Sequence, residues 1–148
     1  MKNSIVFLLF TLIALTSCEK DCSSPVVQDN EALLTKPKGW KFITARSILN
    51  GVPYYYERGS QPQDFDGWTF TFYPNHTGVL KTTTGIRDFT YNWLDPEKTK
   101  FSYTTQQPDV LNAIWENLNV SETKLSYTEY INSPSRISMS TMNLIPIE

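Results

Sequence analysis

Residues that build metal centres and most catalytic sites are scarce in this sequence. The chain of 148 residues has two cysteines and one histidine, too few for a structural zinc site with four Cys or His ligands. It has no Gly-rich phosphate loop and no G-x-S-x-G motif. The histidine, His76, lies in a turn by composition, where a solvated residue is more common than a general base with a positioned partner. We therefore expect no enzyme activity, no metal and no cofactor.

Positive charge is also limited. The chain has 13 Lys and Arg against 15 Asp and Glu, a net charge of −2 with histidine neutral, and no run of basic residues. Proteins that bind nucleic acid concentrate Lys and Arg in a patch or stripe. Nucleic acid is therefore not expected as a partner.

Only one long apolar run is present, at residues 5–15 (IVFLLFTLIAL). It is too short for a membrane span, which needs about 20 residues. With Lys2 before it and small residues after it, the run is typical of a secretory signal peptide. The following residues, LTSC at 15–18, resemble the lipobox of bacterial lipoprotein signals. The resemblance implies that residues 1–17 are removed and that Cys18 is acylated; an ordinary signal peptide cut nearby is the alternative.

The second cysteine, Cys22, lies four residues after Cys18. A disulfide across so short a loop would constrain little of the unfolded chain, so we expect Cys22 to be an unpaired thiol in a tether, residues 18–28. The acidic stretch at 19–21 looks like the signal that some Gram-negative bacteria use to send lipoproteins to the cell surface; a solvated linker is the alternative. The expected location is the bacterial outer membrane, anchored by lipid on the periplasmic side or the cell surface.

The remaining residues, 29–148, show the alternation of apolar and polar side chains that marks β-strands. The predicted strands are 40–49, 68–73, 79–84, 89–94, 101–104, 125–130 and 136–143. Predicted turns separate them at Asn50-Gly51, 74–78, 95–98 and 133–135. Residues 108–112 are ambiguous and favour a short turn or helix before a strand at 114–120. Short alternating strands at intervals of about 8–12 residues predict an all-β antiparallel meander, hence a sandwich or a barrel.

Four segments in order resemble the lipocalin-like domain of bacterial lipoproteins. They are LLTKPKGWKF (33–42), DFDGWTFTFYPNHTGV (64–79), FTYNWL (89–94) and WENLNVSETKLSY (115–127). The resemblance implies an up-and-down barrel of about eight strands, with a short N-terminal helix supplied by 29–34. It also implies that the lumen either binds one small molecule or is filled by side chains.

Aromatic side chains are the candidate lumen residues. Eleven of them fall on the predicted inner faces, and because each aromatic buries about 150–250 Å², we expect a narrow pocket or shallow mouth rather than a wide one. The candidate ligand-binding residues are Trp68, Phe70, Tyr91, Trp93, Tyr103 and Tyr127. The alternative is that these side chains are simply core.

Two functions follow as hypotheses. The first is a lipoprotein, anchored to the membrane through Cys18, that binds a small apolar or amphipathic molecule. The second is a protein-interaction module of the cell envelope with a filled barrel. Tyr54 to Tyr56 bear on the second, because three consecutive tyrosines on a strand expose at least one ring. Asp64 and Asp66 are interpreted as turn residues, since Trp68 stands where a calcium loop needs a third oxygen ligand.

Overall fold

The computed structural model describes residues 28–60, 64–105, 110–133 and 136–148. The predicted signal peptide, both cysteines and the predicted tether up to residue 27 lie outside these ranges. The described residues form one helix and nine strands. They are α1 Asn30–Thr35, β1 Trp40–Leu49, β2 Val52–Glu57, β3 Thr69–Phe72, β4 Thr77–Thr82, β5 Gly85–Trp93, β6 Phe101–Thr105, β7 Asn112–Val120, β8 Leu125–Ser133 and β9 Arg136–Pro146.

The strands form a closed antiparallel barrel. From β3 to β9 each strand pairs with the next, and β1 pairs with both β9 and β3, which closes an eight-stranded ring. The ninth strand, β2, is extra: it pairs with residues 44–49 of β1 on the same edge that pairs with β3 at Trp40 and Lys41. The predicted all-β meander of about eight strands with a short N-terminal helix is therefore confirmed.

The β1–β2 turn shows why this sequence reverses where it does. Asn50 and Gly51 both have positive φ, 49° and 84°, as a two-residue type I′ hairpin requires. Asn50 also joins the turn to β9, because Ile137 donates its backbone N–H to the Asn50 side chain at 2.9 Å. The predicted hairpin at this dipeptide is confirmed.

Helix α1 packs against one end of the barrel. Asp29 caps it by accepting hydrogen bonds from the backbone N–H groups of Glu31 and Ala32. On its inner side Leu34 is fully buried, and the Leu34 carbonyl accepts a hydrogen bond from the Trp40 indole at 2.9 Å. The helix therefore covers this end, which we call the helix end.

Aromatic rings fill the barrel near the helix end. Phe72 packs against Tyr91 and Trp115 at centroid distances of 5.5 and 5.9 Å, and Phe101 packs against Trp115 at 4.9 Å. All of these rings are buried. Their edge-to-face and tilted contacts are those that aromatic pairs prefer, and they form the main core.

Two predictions of local structure need correction. The predicted turn at 74–78 is shorter, because β4 already begins at Thr77. His76 ends the turn with φ 61°. Gly78 lies within β4, where a Cβ atom would be only 2.2 Å from Phe89 Cζ.

The ambiguous segment at 108–112 is also resolved in part. Residues 108 and 109 lie outside the described ranges, and 110–111 are not helical. Strand β7 begins at Asn112, two residues before the predicted strand, and it contains an irregularity between Glu116 and Asn119.

Candidate functional site

A cavity of about 700 Å³ occupies the barrel at the end opposite the helix. Its lining includes residues from three turns or strand ends at that end, Asn50, Thr84 and Arg136. It is larger than the narrow pocket expected from the number of aromatics. The reason is that the aromatic rings concentrate near the helix end, whereas Ser47 and Thr82 face inward at this end and leave space between the strands.

One wall of the cavity is apolar. Phe65, from the loop between β2 and β3, packs against Phe42 at a centroid distance of 5.2 Å and against Trp68 at 4.9 Å. Phe42 in turn packs against Phe70 at 5.6 Å. All four rings line the cavity, so this wall suits the hydrocarbon part of a ligand.

The loop that carries Phe65 is held by tyrosine–aspartate hydrogen bonds. Tyr54 donates its hydroxyl to Asp64 at 2.7 Å, and Tyr56 donates to Asp66 at 2.6 Å. These contacts give Tyr54 and Tyr56 a structural role, while Tyr55 between them is about half exposed, as three consecutive tyrosines on a strand require. The two aspartates are thus turn residues, as predicted, and they position the aromatic wall.

Another part of the cavity lining is polar. Glu129, on the inner face of β8, accepts a hydrogen bond at its Oε2 from the Trp115 indole at 3.0 Å. The Trp115 ring stacks with Tyr127 at a centroid distance of 3.5 Å and with Tyr103 at 5.8 Å. Glu129 and both tyrosines line the cavity. The Glu129 charge acts on both phenol groups, so Glu129, Tyr103 and Tyr127 are treated together as the polar cluster.

The two hydroxyls of the polar cluster have no partner among the residues that the structure describes. Tyr103 and Tyr127 are each only 2% exposed, and neither Oη atom bonds to a described residue. A buried hydroxyl without a hydrogen bond costs free energy. Because both residues line the cavity, a polar group of a ligand is one partner that their hydroxyls could gain.

Burial dominates the electrostatics of the polar cluster. It raises the pKa of Glu129 above the ordinary value, while the Trp115 hydrogen bond and the charge of Arg136 act in the opposite direction. Burial also raises the pKa of Tyr103 and Tyr127, and the nearby Glu129 charge raises both further. Both phenols are therefore neutral at physiological pH, and burial shifts Glu129 toward its protonated form.

Four of the six candidate ligand-binding residues line this cavity: Trp68, Phe70, Tyr103 and Tyr127. The other two, Tyr91 and Trp93, do not. The Tyr91 hydroxyl donates to the Tyr73 carbonyl at 2.9 Å, and Trp93 packs edge-on against Phe101 at 5.2 Å. Both belong to the core near the helix end, so they are removed from the candidate site.

Glu129 was not among the sequence candidates, although a signal was present. It follows Leu125 and Tyr127 at every second position of one strand, so it shares their inward face. A charged residue on an otherwise apolar face is uncommon in a core unless it is paired. Arg87 and Arg136 were missed for a different reason: each stands near a turn, where a basic residue usually faces solvent.

A second group of charged residues lies at the helix end. Lys98 contacts Glu31 at 2.7 Å and Asp29 at 3.3 Å, and His76 contacts Glu31 at 3.0 Å. The Lys98 hydrogen bond lowers the pKa of Glu31. His76, predicted as a solvated turn residue, is half exposed but ion-paired when protonated. The arrangement ties α1 to the turns after β3 and β5, which is a structural role.

Within the described ranges, no three His, Cys, Asp or Glu side chains come together as a metal site. The same residues include no helix with the length and apolar character needed to cross a bilayer. The comparisons with protein-family models, curated proteins and solved structures found no match to this chain.

Proposed function

We propose that this protein is a lipid-anchored, lipocalin-like binding protein that holds one small amphipathic molecule in the barrel cavity. The observation that carries the proposal is the cavity itself. Its volume of about 700 Å³ lies within the range of about 300–1,000 Å³ that small-molecule sites occupy.

The two sides of the cavity favour an amphipathic ligand over a purely apolar one. The wall formed by Phe42, Phe65 and Trp68 would exclude water from a hydrocarbon or aromatic part. The unpartnered hydroxyls of Tyr103 and Tyr127 would be left unsatisfied by a wholly apolar molecule, whereas a polar group on the ligand would satisfy them.

The anchor in this proposal is Cys18. A lipid on Cys18 would attach the chain to the membrane just before the tether. Helix α1 follows the tether directly, so it is the first element of the barrel domain after the anchor. The outer membrane is the proposed location, with a small molecule of the envelope or its surroundings as the ligand.

The first test is mass spectrometry of the intact protein, purified from its own source under native conditions, to look for a retained small molecule. The second is titration with Nile red, an uncharged dye whose fluorescence rises in apolar surroundings. We expect saturable one-to-one binding by the parent protein. We expect it to be lost in Leu80→Trp, which places a large ring in the cavity that Leu80 lines.

Ile86→Trp is the matched control, because Ile86 is an exposed residue on the outside of the barrel. It should bind the dye as the parent does. Equal dye binding by the parent and by a folded Leu80→Trp variant would contradict the proposal, since the dye would then be bound outside the cavity.

A surface feature favours a second candidate, the protein-interaction module. Four apolar residues lie side by side across β1, β9, β8 and β7 on the outer face. Ile48 pairs with Met139, Met139 with Tyr130, and Tyr130 with Ile114. Each is 38–49% exposed, so the row forms an apolar stripe of the kind that partner proteins cover.

This second function predicts a specific contact at the stripe. Photo-crosslinking from position 139 in cells should then give a discrete product that is lost when Tyr130 is changed to Ser. If the parent bound no small molecule and this crosslinked product formed, the interaction module would be favoured over ligand binding. The absence of a discrete crosslinked product would argue against the interaction module.

A further inference from the structure

Glu129 is the one buried carboxylate among the residues that the structure describes. The other described acidic side chains are at least partly exposed, and several are ion-paired on the surface. Removing a carboxylate from water is costly unless a cation or several hydrogen-bond donors replace the lost hydration. In the described structure Glu129 receives one hydrogen bond, from Trp115. An ionised Glu129 would therefore need a further donor or a cation to replace its lost hydration.

The polar cluster offers acceptors in excess of donors. An ionised Glu129 accepts only, and each of the Tyr103 and Tyr127 oxygens accepts as well as donates. A primary ammonium group has three N–H donors and no acceptor, so its donors match the acceptors of these three side chains. A carboxylate or phosphate headgroup would be repelled by Glu129, and an alcohol has a single donor.

Aromatic rings enclose the cluster. Trp115 stacks with the Tyr127 and Tyr103 rings, and Phe70 meets Trp115 edge-on at 5.1 Å. All four rings are buried. They keep water away from Glu129, which strengthens its attraction for a cation.

Two arginines near the polar cluster, Arg87 and Arg136, lie close to the end of the barrel opposite the helix. Arg136 is the first residue of β9, and Arg87 is the third of β5 after the β4–β5 turn. The Arg136 charge acts on Glu129, and the Arg87 charge acts on Tyr103. Glu129 itself lies in the middle of β8, so a cation bound there lies deeper than either arginine.

We propose that the ligand of the cavity is a small amphipathic amine, whose ammonium group contacts Glu129 and the hydroxyls of Tyr103 and Tyr127. Its apolar part lies against Phe65 and Trp68. The inference rests on the proposed function, because it requires that the cavity holds a ligand.

The test compares three probes of one chain length: octylamine, octanol and octanoate, each below its micelle concentration, by isothermal titration calorimetry. A hydrogen bond to a charged group is worth about 1.5–3 kcal/mol, so octylamine should bind the parent at least about tenfold more tightly than octanol. In Glu129→Gln this advantage should disappear, while octanol binding stays the same within about twofold.

Glu116→Gln is the matched control. It makes the same chemical change on β7, at a residue that pairs with Lys100 outside the cavity. This variant should keep the full preference for octylamine. Loss of the preference in both variants would refute the assignment, because it would then reflect the overall charge of the protein rather than the polar cluster.

A second measurement uses the parent alone and so does not depend on the folding of a variant. Octylamine stays protonated between about pH 5 and pH 8, whereas burial raises the pKa of Glu129, so that its carboxyl group ionises at a higher pH than an ordinary glutamate. Octylamine affinity should increase with pH over this interval, and octanol affinity should not. Equal pH dependence of the two probes would overturn the inference.

The outcomes separate the two proposals. If octanol or octanoate bound the parent with the same affinity as octylamine, the amine assignment would be refuted, and the cavity would remain a ligand site. Failure of all three probes and of Nile red to bind would refute the proposed function, and the amine assignment with it.

Discussion

Two tyrosines that face each other across neighbouring strands should respond in opposite ways to loss of their hydroxyl groups. Tyr91 on β5 and Tyr103 on β6 are paired directly in the sheet, and both are almost fully buried. The Tyr91 hydroxyl donates to the Tyr73 carbonyl at 2.9 Å. The Tyr103 hydroxyl has no partner within the described ranges. Changing each to Phe therefore removes the same atom from two different environments.

The structure sets the magnitude of each effect. Tyr91→Phe loses a hydrogen bond worth about 1 kcal/mol. The Tyr73 carbonyl is not left unsatisfied, because the His76 N–H still donates to it at 3.1 Å, so the loss should stay near that figure. Tyr103→Phe removes a hydroxyl whose loss of hydration is uncompensated, and it should be neutral or stabilising by up to about 1 kcal/mol.

Urea unfolding followed by circular dichroism measures both free energies, and equal slopes against urea show that the two unfolding transitions are comparable. The variants should differ by about 1–2 kcal/mol, which corresponds to roughly 3–8 °C in melting temperature. In the binding assay the order reverses: Tyr103→Phe should weaken octylamine binding, and Tyr91→Phe should not. Equal destabilisation by both substitutions would refute the reasoning, because it would show that the Tyr103 hydroxyl has a partner in the empty protein.

Three further predictions concern other parts of the chain. Gly78→Ala should destabilise the barrel by about 3 kcal/mol in urea unfolding, because the new methyl group would overlap the Phe89 ring. The control Gly67→Ala should have little effect, and similar losses of stability in both variants would contradict the prediction. The raised pKa of Glu129 means that the folded state binds its proton more tightly than the unfolded state. The stability of the parent relative to Glu129→Gln should therefore be highest below pH 4.5, the ordinary pKa, and fall as pH rises through the folded-state value; a constant difference in urea melts between about pH 4 and pH 8 would disagree. Cys18→Ala should abolish incorporation of a palmitate analogue, and label that persists on the variant would rule out Cys18 as the anchor.

Local chemistry was sufficient to predict most of the strands. The alternation at 68–73 placed Phe70 and Phe72 on one face, and both are buried. Asn50-Gly51 marked its turn because few residue pairs adopt positive φ at both positions. These features depend on neighbours a few residues apart in the chain, so they can be read without knowing the fold.

Irregularities in two strands limited that prediction. In β1 the register shifts between Phe42 and Thr44, so the inward positions change from Trp40 and Phe42 to Ala45. In β7 Asn117 has φ 55°, and inward positions shift in the same way. A bulge reverses the faces of all later residues, which is why the pattern at 108–120 fitted neither a regular helix nor a regular strand.

The sequence by itself determined that the chain forms short antiparallel strands with aromatic inner faces, because strand alternation and turn chemistry are local properties. Only the tertiary structure decided which aromatics pack near the helix end and which line a cavity, since that depends on the stagger of strands around the closed barrel. Tyr91 and Tyr103 have the same pattern in the sequence, yet one is core and the other faces the cavity. The polar cluster likewise depends on the register of three neighbouring strands, β6, β7 and β8, which pairs Trp115 with Glu129 and places the Tyr103 ring against Trp115.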